Sequence, residues 1–422
     1  MKTDLNVDVH HLTRIEGHGN IEVQIKDGKI QEARWDVVET PRYFEVMLKG
    51  KHFSSAGFLT ARICGICSFG HCLASLRATE QAFGITITDK ATKLRLLAKH
   101  GETLQSHILH LFFLAAPDFL EVPSAIPLIE SHPDAVAMAL RLKSLGNRIC
   151  EVVGGRATHP VSLLVGGVAR SPDELPGLRD ELENALVDLG AATELVRTFE
   201  IPDFHRETEY VSLKGEDQYP FIGGRLVSSD GIEKAEQEYA AMTNEYVDQR
   251  NTSKWCKLSR ESFAVGALAR FNNNYHLLHP QALETASTLG LDPVCHNPFM
   301  NNIAQLVECV HIVNDSIQLI DALMESDSEL TMVPVTPQAG EGVGAVEVPR
   351  GILYHHYNYN KDGYIVKANC VIPTTQNNAN IHHALNDLVT KYAEEGMKSD
   401  RLELLCSMLV RSYDPCISCS VH

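Results

Sequence analysis

The sequence predicts a mainly helical protein with small β-sheets near both chain ends, an α+β fold of the helical-bundle kind, in a single domain over residues 1–422. Three observations carry this. Apolar residues recur at helical spacing through most of the interior. Strand-like alternation is confined to one stretch near each end. No linker rich in Pro, Ser or Gly, no internal repeat and no low-complexity tract divides the chain.

Taken in order, Ile21, Val23 and Ile25 alternate, Asp27-Gly28 supplies a turn, and residues 29–38 return as the second strand of a hairpin. Asp89 then caps a long helix that stops before Pro117. Further helices are expected at 133–153, 172–199, 232–250, 298–325, 379–395 and 401–411. A second strand pair runs through 351–359, turns at Lys361-Asp362-Gly363 and returns through 364–373.

A net charge of −17 argues against nucleic acid or an anionic membrane as partner, since both need clustered Lys and Arg. The most apolar run, 108–120, is broken by Pro117 and Asp118, so no transmembrane span is expected. The first residues lack the apolar core of a secretory signal. Eleven cysteines are an odd number, too sparse for a disulfide scaffold, which points to a reducing, cytoplasmic setting.

Four of those cysteines form two C-x-x-C pairs: Cys64 and Cys67 in "RICGIC", Cys416 and Cys419 in "DPCISCSVH". Cys64 and Cys416 lie 352 positions apart. Zinc ribbons keep their pairs roughly 15–20 residues apart because the metal organises a small local unit. A structural zinc uniting distant parts of the chain is one reading. A catalytic metal is the other, since soft thiolates select nickel, iron or zinc. In either case metal–thiolate bonds would hold down residues 414–422, which otherwise tend to fray.

With those flanks the two pairs resemble the large subunit of nickel–iron hydrogenases, in particular the cytosolic multimeric (group 3) branch. The likeness extends to "TRIEGHGNI" at 13–21, "PRYFE" at 41–45, "GGRATHP" at 154–160, "GEGVGAVEVPRG" at 340–351 and "VIPTTQNN" at 371–378. It implies that Cys64 and Cys416 are terminal ligands to nickel and that Cys67 and Cys419 bridge nickel and iron. Carbon monoxide and cyanide complete the iron. The implied reaction is reversible heterolysis of H2 to two protons and two electrons.

The resemblance also places Arg350 over the open metal face and Thr374, next to Pro373, as a donor to a cyanide. Asp118 and Asp414 become carboxylates around the site. Glu16 becomes the proton gate beside Cys416. Glu45, His422 and the Cys370 carbonyl become ligands of a hard cation, usually magnesium. His71, four positions after Cys67, would hydrogen-bond a coordinating sulfur. The plainer alternatives are a surface ion pair for Arg350, a turn residue for Thr374, a cap for Asp414 and an exposed acid for Glu16.

His107 and His110, one turn apart, read as satisfied core histidines. Cys72, Cys150, Cys256, Cys295, Cys309, Cys370 and Cys406 read as small buried hydrophobes. No further C-x-x-C remains for iron–sulfur clusters, and no G-x-G-x-x-G follows a strand. The resemblance supplies the missing carrier as an iron–sulfur small subunit. Beyond it stand further electron-transfer subunits linked to flavin and NAD(P), to a deazaflavin or to heterodisulfide reduction. It also implies that a protease trims a tail after His422. A hydrogen sensor would share nearly every site residue, and a zinc-stapled scaffold would bind zinc only.

Overall fold

The computed structural model describes residues 5–27, 29–326 and 330–422. Helices make up most of the interior. Pro133–Gly154, Leu175–Val196, Asn301–Met324 and Ser399–Ser412 lie where the periodicity placed them. Strands Gly19–Lys26 and Lys29–Val37 form the expected hairpin, to which Leu5–Val9 adds a third strand. Gly28, half of its expected turn, lies outside the described residues. Strands Gly351–Tyr359 and Ile365–Val371 pair as expected, joined by a third, Gly340–Val348, on the other edge.

Several elements differ from expectation. The helix expected at 232–250 shrinks to Tyr239–Thr243. Asn244 takes a left-handed φ of 37°, which ends the helix, and Tyr246 then pairs with Trp255 across an isolated bridge. Thr88, not Asp89, caps the long helix, its Oγ1 accepting from Ala91 N at 3.1 Å. That helix, Asp89–Ile108, does not stop at Pro117. A wider π segment, Leu109–Ala115, follows it, and Pro117 sits in the first turn of Ala116–Phe119, where a missing N–H leaves no bond unmade. The helix expected at 379–395 begins earlier, at Pro373.

Helices Ser68–Phe83, Ala267–Asn274 and Pro280–Thr288 had no counterpart in the sequence reading. Neither had a four-stranded sheet drawn from residues 209–264, so strands are not confined to the two ends.

Two packing contacts set up the functional region. Strand Gly340–Val348 lies directly on helix Ser68–Phe83, so close that a Cβ at Gly342 or Gly344 would meet the carbonyls of Ala78 or Ala74 at 2.1 and 2.2 Å. Only glycine permits that approach. The strand ends just before Arg350, and the helix begins just after Cys67. Segment 414–422 is stitched to the front of the chain. Ile417 N donates to Glu16 O at 2.9 Å, and Arg42 N donates to Val421 O at 2.9 Å. The Arg42 guanidinium reaches the carbonyls of Ile63 and Ser418. Among the described residues no helix is long and apolar enough to cross a membrane.

Candidate metal centre

The two cysteine pairs meet. Cys64 Sγ is 3.5 Å from Cys416 Sγ, Cys67 Sγ is 3.6 Å from Cys419 Sγ, and Cys416 and Cys419 are 2.9 Å apart. All four sulfurs lie within 4.8 Å of one another and all four residues are buried. None is in a disulfide. Sulfurs around a shared tetrahedral ion at about 2.3 Å would stand a little under 4 Å apart, so the donor set suits thiophilic metal. Without a cation the cluster is electrostatically frustrated. Hydrogen bonds from Cys416, Cys419 and Cys67 hold Cys64 well below the ordinary thiol range. Burial and the neighbouring sulfurs push Cys419 well above it. One thiolate is favoured and further ones are opposed, a balance that a bound metal ion inverts.

Arg350 is buried beside these sulfurs. Its Nη2 donates to Asp414 Oδ1 at 2.8 Å, while Nε and Nη1 are buried with no partner among the described residues. Buried donors left open are costly, and here they mark a place for an acceptor. This is no surface ion pair. Asp414 also accepts from Gln305 Nε2 at 3.2 Å, so its side chain anchors Arg350 and does not cap the short terminal helix.

Thr374, buried in the first turn after Pro373, accepts from Cys416 N at 3.0 Å and keeps its own O–H to donate. Glu16 Oε2 lies 3.2 Å from Cys416 Sγ and also accepts from Ser418 N at 3.0 Å; its other oxygen takes the Ser418 hydroxyl. The carboxyl is therefore held against one thiol of the cluster.

Other residues that the sequence singled out have partners besides the sulfurs. Asp118 is held by Arg411, at 2.8 and 2.9 Å, and by Arg14; none of its described hydrogen bonds or ion pairs goes to a thiol. His71 Nδ1 pairs with His355 Nε2 at 3.1 Å instead of with a sulfur, and His355 Nδ1 pairs with Tyr357 OH at 2.6 Å. Burial lowers His71 to about 3, so it stays neutral. His107 and His110 are core histidines, with Glu308 Oε2 2.7 Å from His107 and Gln305 Oε1 2.6 Å from His110. Six of the seven remaining cysteines are buried; Cys295 is partly so.

A second group gathers at His422, the last residue of segment 414–422. Glu45, Cys370 and His422 bring a carboxylate, a thiol and an imidazole within 4.8 Å. Glu45 Oε1 is 3.5 Å from His422 Nε2 and accepts from Cys370 N at 2.7 Å. Burial alone would raise the Glu45 carboxyl; His422 and the Cys370 N–H hold it below its usual range.

The sequence reading missed Arg42, although it sits within "PRYFE", and it missed a buried knot of Arg270, Glu308 and Glu347. Glu347 stands in "EVPRG", but nothing in local spacing links it to Arg270 or Glu308.

Comparison with known proteins agrees with this geometry. The family model for nickel-dependent hydrogenase matches residues 42–135 and 224–422, and a HoxL-like model matches 6–40. Sulfhydrogenase 1 subunit alpha of Pyrococcus furiosus is 31% identical, covering 99% of this chain and 98% of its own. NAD-reducing hydrogenase HoxS subunit beta of Cupriavidus necator is 30% identical, over 97% and 93%. A solved NAD+-reducing nickel–iron hydrogenase in its H2-reduced state superposes with a TM-score of 0.90 at 28% identity, over 99% of both chains. The chain belongs to the nickel-dependent hydrogenase family and is its catalytic large subunit, an oxidoreductase acting on H2.

Proposed function

We propose that Cys64, Cys67, Cys416 and Cys419 hold one nickel and one iron, with Cys64 and Cys416 on nickel alone and Cys67 and Cys419 shared. The observation that carries this is the buried four-sulfur cluster beside Arg350, which keeps N–H groups without a partner among the described residues. When bound, the bimetallic group supplies the heterolysis of H2. The chain supplies the rest. Arg350, fixed by Asp414, offers its open donors, and the Thr374 O–H offers another; these serve the cyanides that complete the iron beside carbon monoxide. Glu16 exchanges a proton with the Cys416 sulfur and passes it outward, the role of a positioned general acid–base. Asp118 acts indirectly, holding Arg411 and Arg14. His71 stays a neutral neighbour of the Cys67 turn.

A hard divalent cation, magnesium, would be held by Glu45, His422 and the Cys370 carbonyl, with the thiol standing aside because such ions take oxygen ligands. The chain works as one domain over residues 1–422 in the cytoplasm, bound to an iron–sulfur small subunit. Electrons leave through that partner to subunits linked to NAD(P) and flavin, a deazaflavin or heterodisulfide reduction. Elemental analysis of the purified complex tests the core of this reading. One nickel per large subunit, with infrared bands of metal-bound carbonyl and cyanide, is expected. Stoichiometric zinc without nickel overturns it.

A further inference from the structure

Arg270 lies behind Arg350 and has no exposed surface. An arginine carries five N–H donors, and here all five are used. Nε donates to Glu308 Oε1 at 2.6 Å; Nη2 donates to Glu308 Oε2 at 2.7 Å and to Pro349 O at 3.2 Å. Nη1 donates to Glu347 Oε2 at 2.9 Å and to Val348 O at 3.0 Å. The fork therefore grips the backbone carbonyls of the two residues that lead into Arg350.

Both carboxylates are tied down in turn. Glu308 accepts from Tyr219 OH at 2.7 Å and pairs with His107 at 2.7 Å. Glu347 Oε1 accepts from Leu213 N at 2.8 Å. Helix Ala267–Asn274, which carries Arg270, starts at Gly266, whose φ of 121° suits glycine alone and where a Cβ would stand 3.2 Å from Arg350 O.

We infer that Arg270 is a positioning residue for Arg350: by fixing the carbonyls of Val348 and Pro349 it aims the open Arg350 donors at the four-sulfur cluster. The inference rests on the role proposed for Arg350. A guanidinium with one anchored nitrogen and a long flexible stem has many rotamers, and a single ion pair to Asp414 leaves its aim loose. A fixed backbone on the other side removes that freedom. The requirement is for the fork's shape and not only its charge, because an ammonium cannot reach two carboxylates and two carbonyls in one plane.

The test is Arg270→Lys in the complete complex, beside Arg350→Lys. With nickel and iron content unchanged, Arg270→Lys is expected to lower kcat on the order of 10- to 100-fold, the scale of a small misplacement, with KM for H2 little changed. It should also shift the infrared bands of the centre's cyanides in the same sense as Arg350→Lys. Unchanged bands and kcat in a metal-replete Arg270→Lys enzyme overturn the inference while leaving the role of Arg350 intact. A fully active Arg350→Lys enzyme with unshifted bands removes that role and the inference with it. Should Arg270→Lys fail to assemble, Glu347→Gln, which weakens one arm of the fork, gives the reading: a smaller shift in the same sense supports it, and none refutes it.

Discussion

Two buried charged regions sit back to back in this protein, and they are built on opposite rules. Every N–H of the Arg270 guanidinium has an acceptor, and every oxygen of Glu308 and Glu347 is engaged. Around Arg350 donors are left open, and four thiols crowd so tightly that the ionisation of one, Cys64, is favoured while that of Cys419 is opposed. Both regions pay for desolvation, yet only the first recovers it from the chain itself. What sets the second region apart is the pairing of open donors with a cluster of metal-binding sulfurs; buried polar atoms without a partner also occur elsewhere in this core, at Tyr354 and Trp255 for example, and mark no site by themselves.

The sharpest way to break the comparison is Cys416→Ser. Nickel should fall from one per chain toward none, with loss of H2 turnover, since removing a ligand costs more than the roughly 10- to 100-fold seen for residues behind the ligands. Nickel retained at full occupancy would mean that the open region does not depend on its thiols. Next, Glu16→Gln should lower proton–deuterium exchange by roughly 10²- to 10⁴-fold, the contribution of one positioned acid–base group, while para/ortho hydrogen conversion and metal content persist. Full exchange in the variant would take Glu16 off the proton route.

On the closed side, Glu308→Ala leaves Arg270 with Glu347 as its one carboxylate and takes the acceptors of Nε and of one Nη2–H away; breaking this buried pair should cost about 3–5 kcal/mol of stability, read from denaturant unfolding. A cost below about 1 kcal/mol would show that the knot is not the closed system its hydrogen bonds describe.

The smallest effect concerns pH. Burial lowers His311, one turn along from Glu308, to about 4. Its folded pKa lies below the unfolded value near 6.5, so the unfolded chain binds the extra proton between those values. Stability should therefore fall as pH drops from about 6.5 toward 4, with a slope of up to about 1.4 kcal/mol per unit from this group. His311→Gln should flatten that slope, and an unaltered profile would assign the loss to other groups.

How legible these regions were follows from the same contrast. The thiols were readable because metal chemistry restricts both residue type and local spacing, and C-x-x-C survives in the linear text. That Glu16, Thr374 and Arg350 would lie beside the thiols could be read only through the motifs around them. The Arg270 knot was not, since its partners lie 38 and 77 positions away and no spacing rule links them. Helix Ser68–Phe83 was missed because it is buried on nearly every face and shows no polar stripe to give it a period. The 232–250 stretch failed the other way. Its charges look like a solvated helix face, but Glu236 is spent on Arg77 and on Ala345 N instead. The π segment before Pro117 has no signature that a proline rule could detect.

The distance between the two cysteine pairs has a consequence for the order in which the protein is made. With 352 positions between Cys64 and Cys416, the cluster can close only after a long stretch of chain has been made. Closing a loop of that length costs about 5 kcal/mol of chain entropy, which local structure cannot repay until the intervening helices have packed. An ion captured early would find two sulfurs, not four. A metal held by all four sulfurs would thereby report on folding: a chain able to fill the site has already brought its distant parts together.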